Sequence, residues 1–246
     1  MIFIEKVTFS LFFRLFINQN PKMKRIIFSA ALMLSSSLLF AQKPANKIAE
    51  GTITYSVEWQ LPDQMKPMAA NFPSELTVFF KGDSASMKTE SQMFTTTSIV
   101  NTSKEYERML LDIPMMGKKL SVIFTPADQE KIEEKLPELT LKAEKETKEL
   151  AGYKAQRYVV NEKKTNQTFE AWFTKDIEIT PNTLSRFYDK SYGFPLEFNS
   201  FMNGITVKAK VKEITPGPVP SGSFTATSDF EEITFDQLMQ MSNGRQ

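Results

Sequence analysis

Residues 51–59 read GTITYSVEW: Ile53, Tyr55, Val57 and Trp59 take every second position, and Thr52, Thr54, Ser56 and Glu58 fill the gaps. A period of two means an extended strand with one buried and one wetted face, because successive side chains point to opposite sides. The pattern returns at residues 205–214 (ITVKAKVKEI), where Ile205, Val207, Ala209 and Val211 alternate with Thr206, Lys208, Lys210 and Lys212. Wound into a helix, either segment would scatter its apolar residues around the whole circumference. The alternation therefore commits the chain to sheet.

Residues 74–81, 84–90, 94–100, 106–113, 119–124, 139–148, 153–161, 168–174 and 193–198 read as further strands. Gly82-Asp83 and Pro114-Met115-Met116-Gly117 supply hairpin turns. Residues 139–148 are charged, and a solvated helix competes there with a strand. Residues 61–73 are rich in Pro and Met and read as a loop or one broken helical turn. Thr125-Pro126-Ala127-Asp128 offers an N-cap hydroxyl, a first-turn proline and an acid three residues after the cap. Such a box predicts a helix of about three turns, stopping near Pro137. Thr234-Phe235-Asp236-Gln237 opens a second helix with a glutamine box, and a short helix is expected over residues 183–188. The fold class is mainly β with few short helices: a single curved antiparallel sheet. Its continuous apolar face must be covered by a helix, a loop or a bound apolar ligand.

At 246 residues the chain suits one large β domain, expected over residues 51–242 after a polar linker at 42–50. Before the linker, Met23-Lys24-Arg25 is a basic n-region and residues 26–40 are a charge-free apolar run. The run is followed by Ala41 and then by polar Gln42-Lys43-Pro44. That is the layout of a secretory signal peptide over residues 23–41, with cleavage near Ala41-Gln42. About 15 apolar residues fall short of the roughly 20 that a membrane span needs, so no span is expected in the mature chain. Residues 1–22 read as an extra or mis-assigned extension, translation starting at Met23. The predicted location is periplasmic or secreted, with outer-membrane association left open.

Residues 1–41 hold five basic residues and one acidic. Removing them from totals of 30 and 29 leaves 25 basic against 28 acidic, a net charge of −3. A mildly acidic domain has no electrostatic footprint for nucleic acid. Cysteine and histidine are absent. That excludes disulfides, thiol nucleophiles, Cys/His metal sites and a lipidated cysteine. Serines lack a histidine partner, and the adjacent acids Glu133 with Glu134 and Glu231 with Glu232 point apart on any regular element. No enzyme activity, cofactor or metal is expected.

Two groups of residues have both a functional and a structural reading. Trp172, flanked by Phe169 and Phe173, lines a ligand cavity or fills a core. Met109, Met115 and Met116 with Met65, Met68, Met87 and Met93 make an adaptable apolar surface or fill gaps in a core without cysteine. Met115 and Met116, adjacent at a turn, cannot both point inward.

The order EGTITYSVEW, FFKGDSASM, ELAGYKAQRYVV, EAWFTKDI, YGFPLEF and a strand ending VKEI resembles the DUF4412-type exported proteins of Bacteroidetes and, more loosely, the GLPGLI proteins. Both look like relatives of the lipoprotein carriers typified by LolA and LolB. The resemblance covers most of residues 51–214. It implies a half-open β-barrel wrapped around short helices, with an apolar concave face that in the carriers holds acyl chains. On that reading the ligand-binding residues are Trp59, Met87, Met109, Met115, Phe124, Trp172, Leu196 and Val207. The chain is then expected to bind or carry a lipid or acyl chain. The alternative is a structural or protein-interaction module of the envelope, with a filled core and a protein partner.

Overall fold

The computed structural model describes residues 46–134, 136–202 and 204–243. The export segment and residues 1–22 lie outside these. Ala45–Gln246 forms a compact unit by itself.

The strands expected from the alternation all form. Two-residue β1 (Asn46–Lys47) precedes β2 (Glu50–Gln60), β3 (Glu75–Lys81), β4 (Ser84–Glu90), β5 (Thr95–Asn101), β6 (Tyr106–Ile113) and β7 (Lys118–Ile123). After helix α1 (Pro126–Glu133) come β8 (Leu139–Leu150), β9 (Tyr153–Glu162), β10 (Gln167–Thr174), β11 (Ile177–Glu178), β12 (Phe194–Met202) and β13 (Ile205–Pro216). The three-residue β14 (Glu231–Ile233) and helix α2 (Phe235–Asn243) end the described chain. Twelve of these strands make one curved, non-closed sheet in the order β14-β7-β6-β5-β4-β3-β2-β13-β12-β10-β9-β8. Every neighbouring pair in it is antiparallel except β14 with β7. Residues 139–148 are thus strand, and β8 is an edge. Its run of charges suits that place, because charged edges resist pairing with other chains.

Register turns the alternation into a core. Ile214, Ile53, Val78, Met87, Ser98, Met109, Val122 and Ile233 stand opposite one another in turn across eight strands. A second row on the same face runs Leu196, Val211, Tyr55, Leu76. One residue on, along β13, Lys208, Lys210 and Lys212 are exposed. A slip of one residue would exchange these sets, so the pairing is strongly fixed.

Residues 179–189, between β11 and β12, lie across the apolar face. Leu184 is fully buried there, and Ile179, Asn182, Ser185 and Tyr188 are buried with it. This cover is not the short helix expected over 183–188. It is a set of turns clasped by Asn182, whose carbonyl accepts from Ser185 N and Arg186 N at 3.0 Å each. The Asn182 side chain accepts from Leu184 N at 2.9 Å, and Ser185 Oγ accepts from Asn182 N at 3.1 Å. Side-chain bonds of this kind compete with the helical ladder and stop it from propagating.

A second crossing closes part of the opposite face. From β13 the chain runs along residues 217–230 to β14. Val219 N donates to Glu50 Oε1 at 3.0 Å at one end, and Lys119 Nζ meets Asp229 Oδ2 at 2.8 Å at the other. Glu50 and Lys119 both point away from the cover, and Ser86, Ile99 and Ser121 on that face are buried. Both expected capping boxes form, at Thr125 with Asp128 and at Thr234 with Gln237.

Candidate functional site: an apolar rim at one end of the sheet

Six of the eight residues expected to line a ligand face do share one. Trp59 stands opposite Val207, Met87 lies two places along its row from Met109, and Leu196 and Phe124 point the same way. They do not meet around an opening. Met87, Leu196 and Val207 are buried in the core that the cover completes. Trp59 is half-buried, stacked on Phe72 with centroids 5.1 Å apart, and its indole N–H donates to Pro73 O at 2.7 Å. Phe124 packs on Phe235 of α2 at 5.5 Å. The other two lie elsewhere. Trp172 points to the opposite face, where Lys148 Nζ sits 4.0 Å from its ring centroid and pairs with Glu197 at 2.7 Å. Met115 projects from a hairpin turn and is 84% exposed.

The cover is tied down by polar bonds that the apolar pattern did not announce. Asn182 Nδ2 donates to Tyr55 Oη at 3.1 Å, and Tyr188 Oη donates to Asn199 O at 2.6 Å. Burial pushes both phenols well above their ordinary range. Ser98 and Thr183 share a hydroxyl–hydroxyl bond of 2.8 Å, and Arg186 Nη1 grips both carboxylate oxygens of Glu107 at 2.9 and 3.0 Å. The Tyr188 ring stacks edge-on against Phe173 and Phe198 at 5.3 and 5.6 Å. An open groove of about 530 Å³ lies outside this core, lined by Ser56, Glu75, Glu149, Leu150, Ala151 and residues 210–212. None of the eight expected residues lines it.

The unusual surface is at one end of the sheet. Strands β2 to β7 run up and down in order, so alternate connections fall at the same end. The connections β2–β3, β4–β5 and β6–β7 share one end; β3–β4 and β5–β6 share the other. Among the described residues the exposed large apolar side chains are Met68, Met93, Phe94, Met115 and Met116. All five lie in the three connections of the first end. The opposite end carries Gly82-Asp83 and Thr102-Ser103-Lys104-Glu105, which are exposed and polar. Met115 and Met116 are thus both exposed, Met115 far more than Met116. Sequence reasoning had marked the methionines of this rim but not Phe94, and it did not gather them at one end. Counting strands between the turns would have done so.

Among the described residues no three acids converge in a way that would hold a cation. No helix among them is long and apolar enough to cross a membrane. No family model matches the chain, and no curated protein does. A solved structure of PNGF-II is similar at 15% identity with a TM-score of 0.48, over 78% of this chain and 32% of that one. The chain thus spans about a third of the length of that structure, and a likeness this distant assigns neither fold nor function.

Proposed function

We propose that the protein is an exported, non-catalytic interaction module of the cell envelope that works through its apolar rim. The observation that carries this reading is the placement of five exposed large apolar side chains in three loops at one end. Soluble surfaces scatter such side chains singly, and a cluster marks a contact surface. Methionine suits the role, since its unbranched, polarisable side chain adapts to varied partners. The packing of residues 179–189 on the apolar face, with Ile179, Leu184 and Tyr188 buried in the core, supports reading the rim as the working surface. The signal-peptide layout of residues 23–41 supports export.

Fractionation of cells tests the reading. The parent protein should be recovered in part with the envelope. The double substitution Met93→Glu with Met115→Glu should move it to the soluble fraction, while Ser103→Glu at the opposite end should not. A rim variant that fractionates like the parent would overturn the proposal.

A further inference from the structure

We infer that the occupant of the rim is the surface of a lipid bilayer; this rests on the rim being the binding surface. The exposures of Met68, Met93, Phe94, Met115 and Met116 are 41, 40, 39, 84 and 46%. Together they offer roughly 500 Å² of apolar surface, the size of a small functional patch. Protein hot spots are built from Trp, Tyr and Arg anchors set in pockets. The rim has four methionines and one phenylalanine, with Met68 on a 3-10 helix over Asp63–Asn71 and the others in the short turns after β4 and β6.

A bilayer asks for apolar side chains projecting from one end of the fold, with little charge to dehydrate beside them. Ser91-Gln92-Met93-Phe94 and Pro114-Met115-Met116-Gly117 contain no charged residue. In the third loop the charges of Asp63 and Lys66 cancel in an ion pair of 2.6 Å. Exposed Lys118 follows the 114–117 turn, where its stem can lie along apolar surface and its ammonium can reach a headgroup. Exposed Glu90 and Glu75, which flank the other two connections, are held in ion pairs with Lys88 and Lys212, so insertion of the apolar side chains drives binding and salt changes it little.

The experiment uses residues 42–246, which contain the compact unit and omit the apolar run at 26–40 that would bind lipid by itself. Because the chain has no cysteine, one can be introduced at position 93, 115 or 103 and labelled with an environment-sensitive fluorophore. With vesicles of phosphatidylethanolamine and phosphatidylglycerol, the labels at 93 and 115 should shift to the blue and the label at 103 should not. Met115→Glu should lower the vesicle partition coefficient by at least about tenfold, with an unchanged circular dichroism spectrum. A label at 115 that stays water-like at saturating lipid, or an equal shift at 103, overturns the bilayer assignment. If rim substitutions then still release the protein from the envelope of cells, the rim remains the binding surface and its partner is a protein. If they do not, both readings fall.

Discussion

Asn182 and Tyr55, 127 residues apart, bond to each other inside the core: the Asn182 amide donates to the phenol oxygen at 3.1 Å. Both are buried almost completely, and Asn182 also accepts from Leu184 N. Tyr55→Phe removes one bond and leaves an amide proton without its acceptor, a loss of about 1–3 kcal/mol. Asn182→Ala removes that bond and the Leu184 contact together, so it should cost more than Tyr55→Phe. In urea unfolding the double variant should lose less than the two single losses combined, because the pair is coupled. Strict additivity would show that the cover is not held by this bond.

Leu184 is the apolar counterpart of that tether. It is fully buried and packs in the same cluster as Val78, Phe173 and Phe198. Leu184→Ala should destabilise the protein by about 2–5 kcal/mol, the range for truncating a buried leucine and leaving a cavity. Thermal unfolding measures it. A loss below about 1 kcal/mol would mean that the cover rests loosely on the sheet and that the concave face is open to ligand after all.

The strands were legible because period-two alternation needs no knowledge of partners, whereas their order, which sets β2 beside β13 and β12 beside β10, rests on pairings between segments far apart in the chain. The start of helix α1 was legible too, because the Thr125 box is local, with Asp128 N 3.2 Å from Thr125 Oγ1, but the helix ends at Glu133, short of the three turns expected toward Pro137. The cover was not, for residues 179–189 have no period and are placed by contacts to strands far away in sequence. Strands β1, β11 and β14, two or three residues long, carry no pattern to read. Trp172 misled by its chemistry. The run TFEAWFT puts Phe169, Ala171 and Phe173 on one face, and Trp172 beside Glu170 on the other, where Lys148 covers its ring.

Where the cover returns to the sheet the backbone permits only glycine. Gly193 has φ of 101° and ψ of −165°, a region that side chains exclude. A Cβ there would lie 2.3 Å from Thr174 O and 2.9 Å from Thr174 C, both backbone atoms that cannot swing aside. Gly193→Ala should lose about 1–3 kcal/mol to strain alone, with the clash added to it. Gly82→Ala, at a positive φ with open space around it, should cost less. Equal losses at the two sites would mean that the close approach to β10 is relieved by a small shift.

Glu162 gives the fold a pH dependence of stated sign. Its carboxylate is buried at the β9–β10 turn and accepts from Thr165 Oγ1, Lys164 N, Thr165 N and Glu138 N. The Thr165 bonds first, then the backbone amides, lower its pKa from 4.5 to about 2. The folded state therefore holds the proton more weakly than the unfolded chain. The stabilisation is complete above about pH 4.5 and fades as the pH falls through about 2. Glu162→Gln keeps the shape but not the charge, so it should be less stable than the parent at neutral pH. The difference in urea midpoint should shrink steadily between about pH 5 and pH 2. A difference that stays constant over that range would show that the four donors hold the turn through shape and not through the ionised carboxylate.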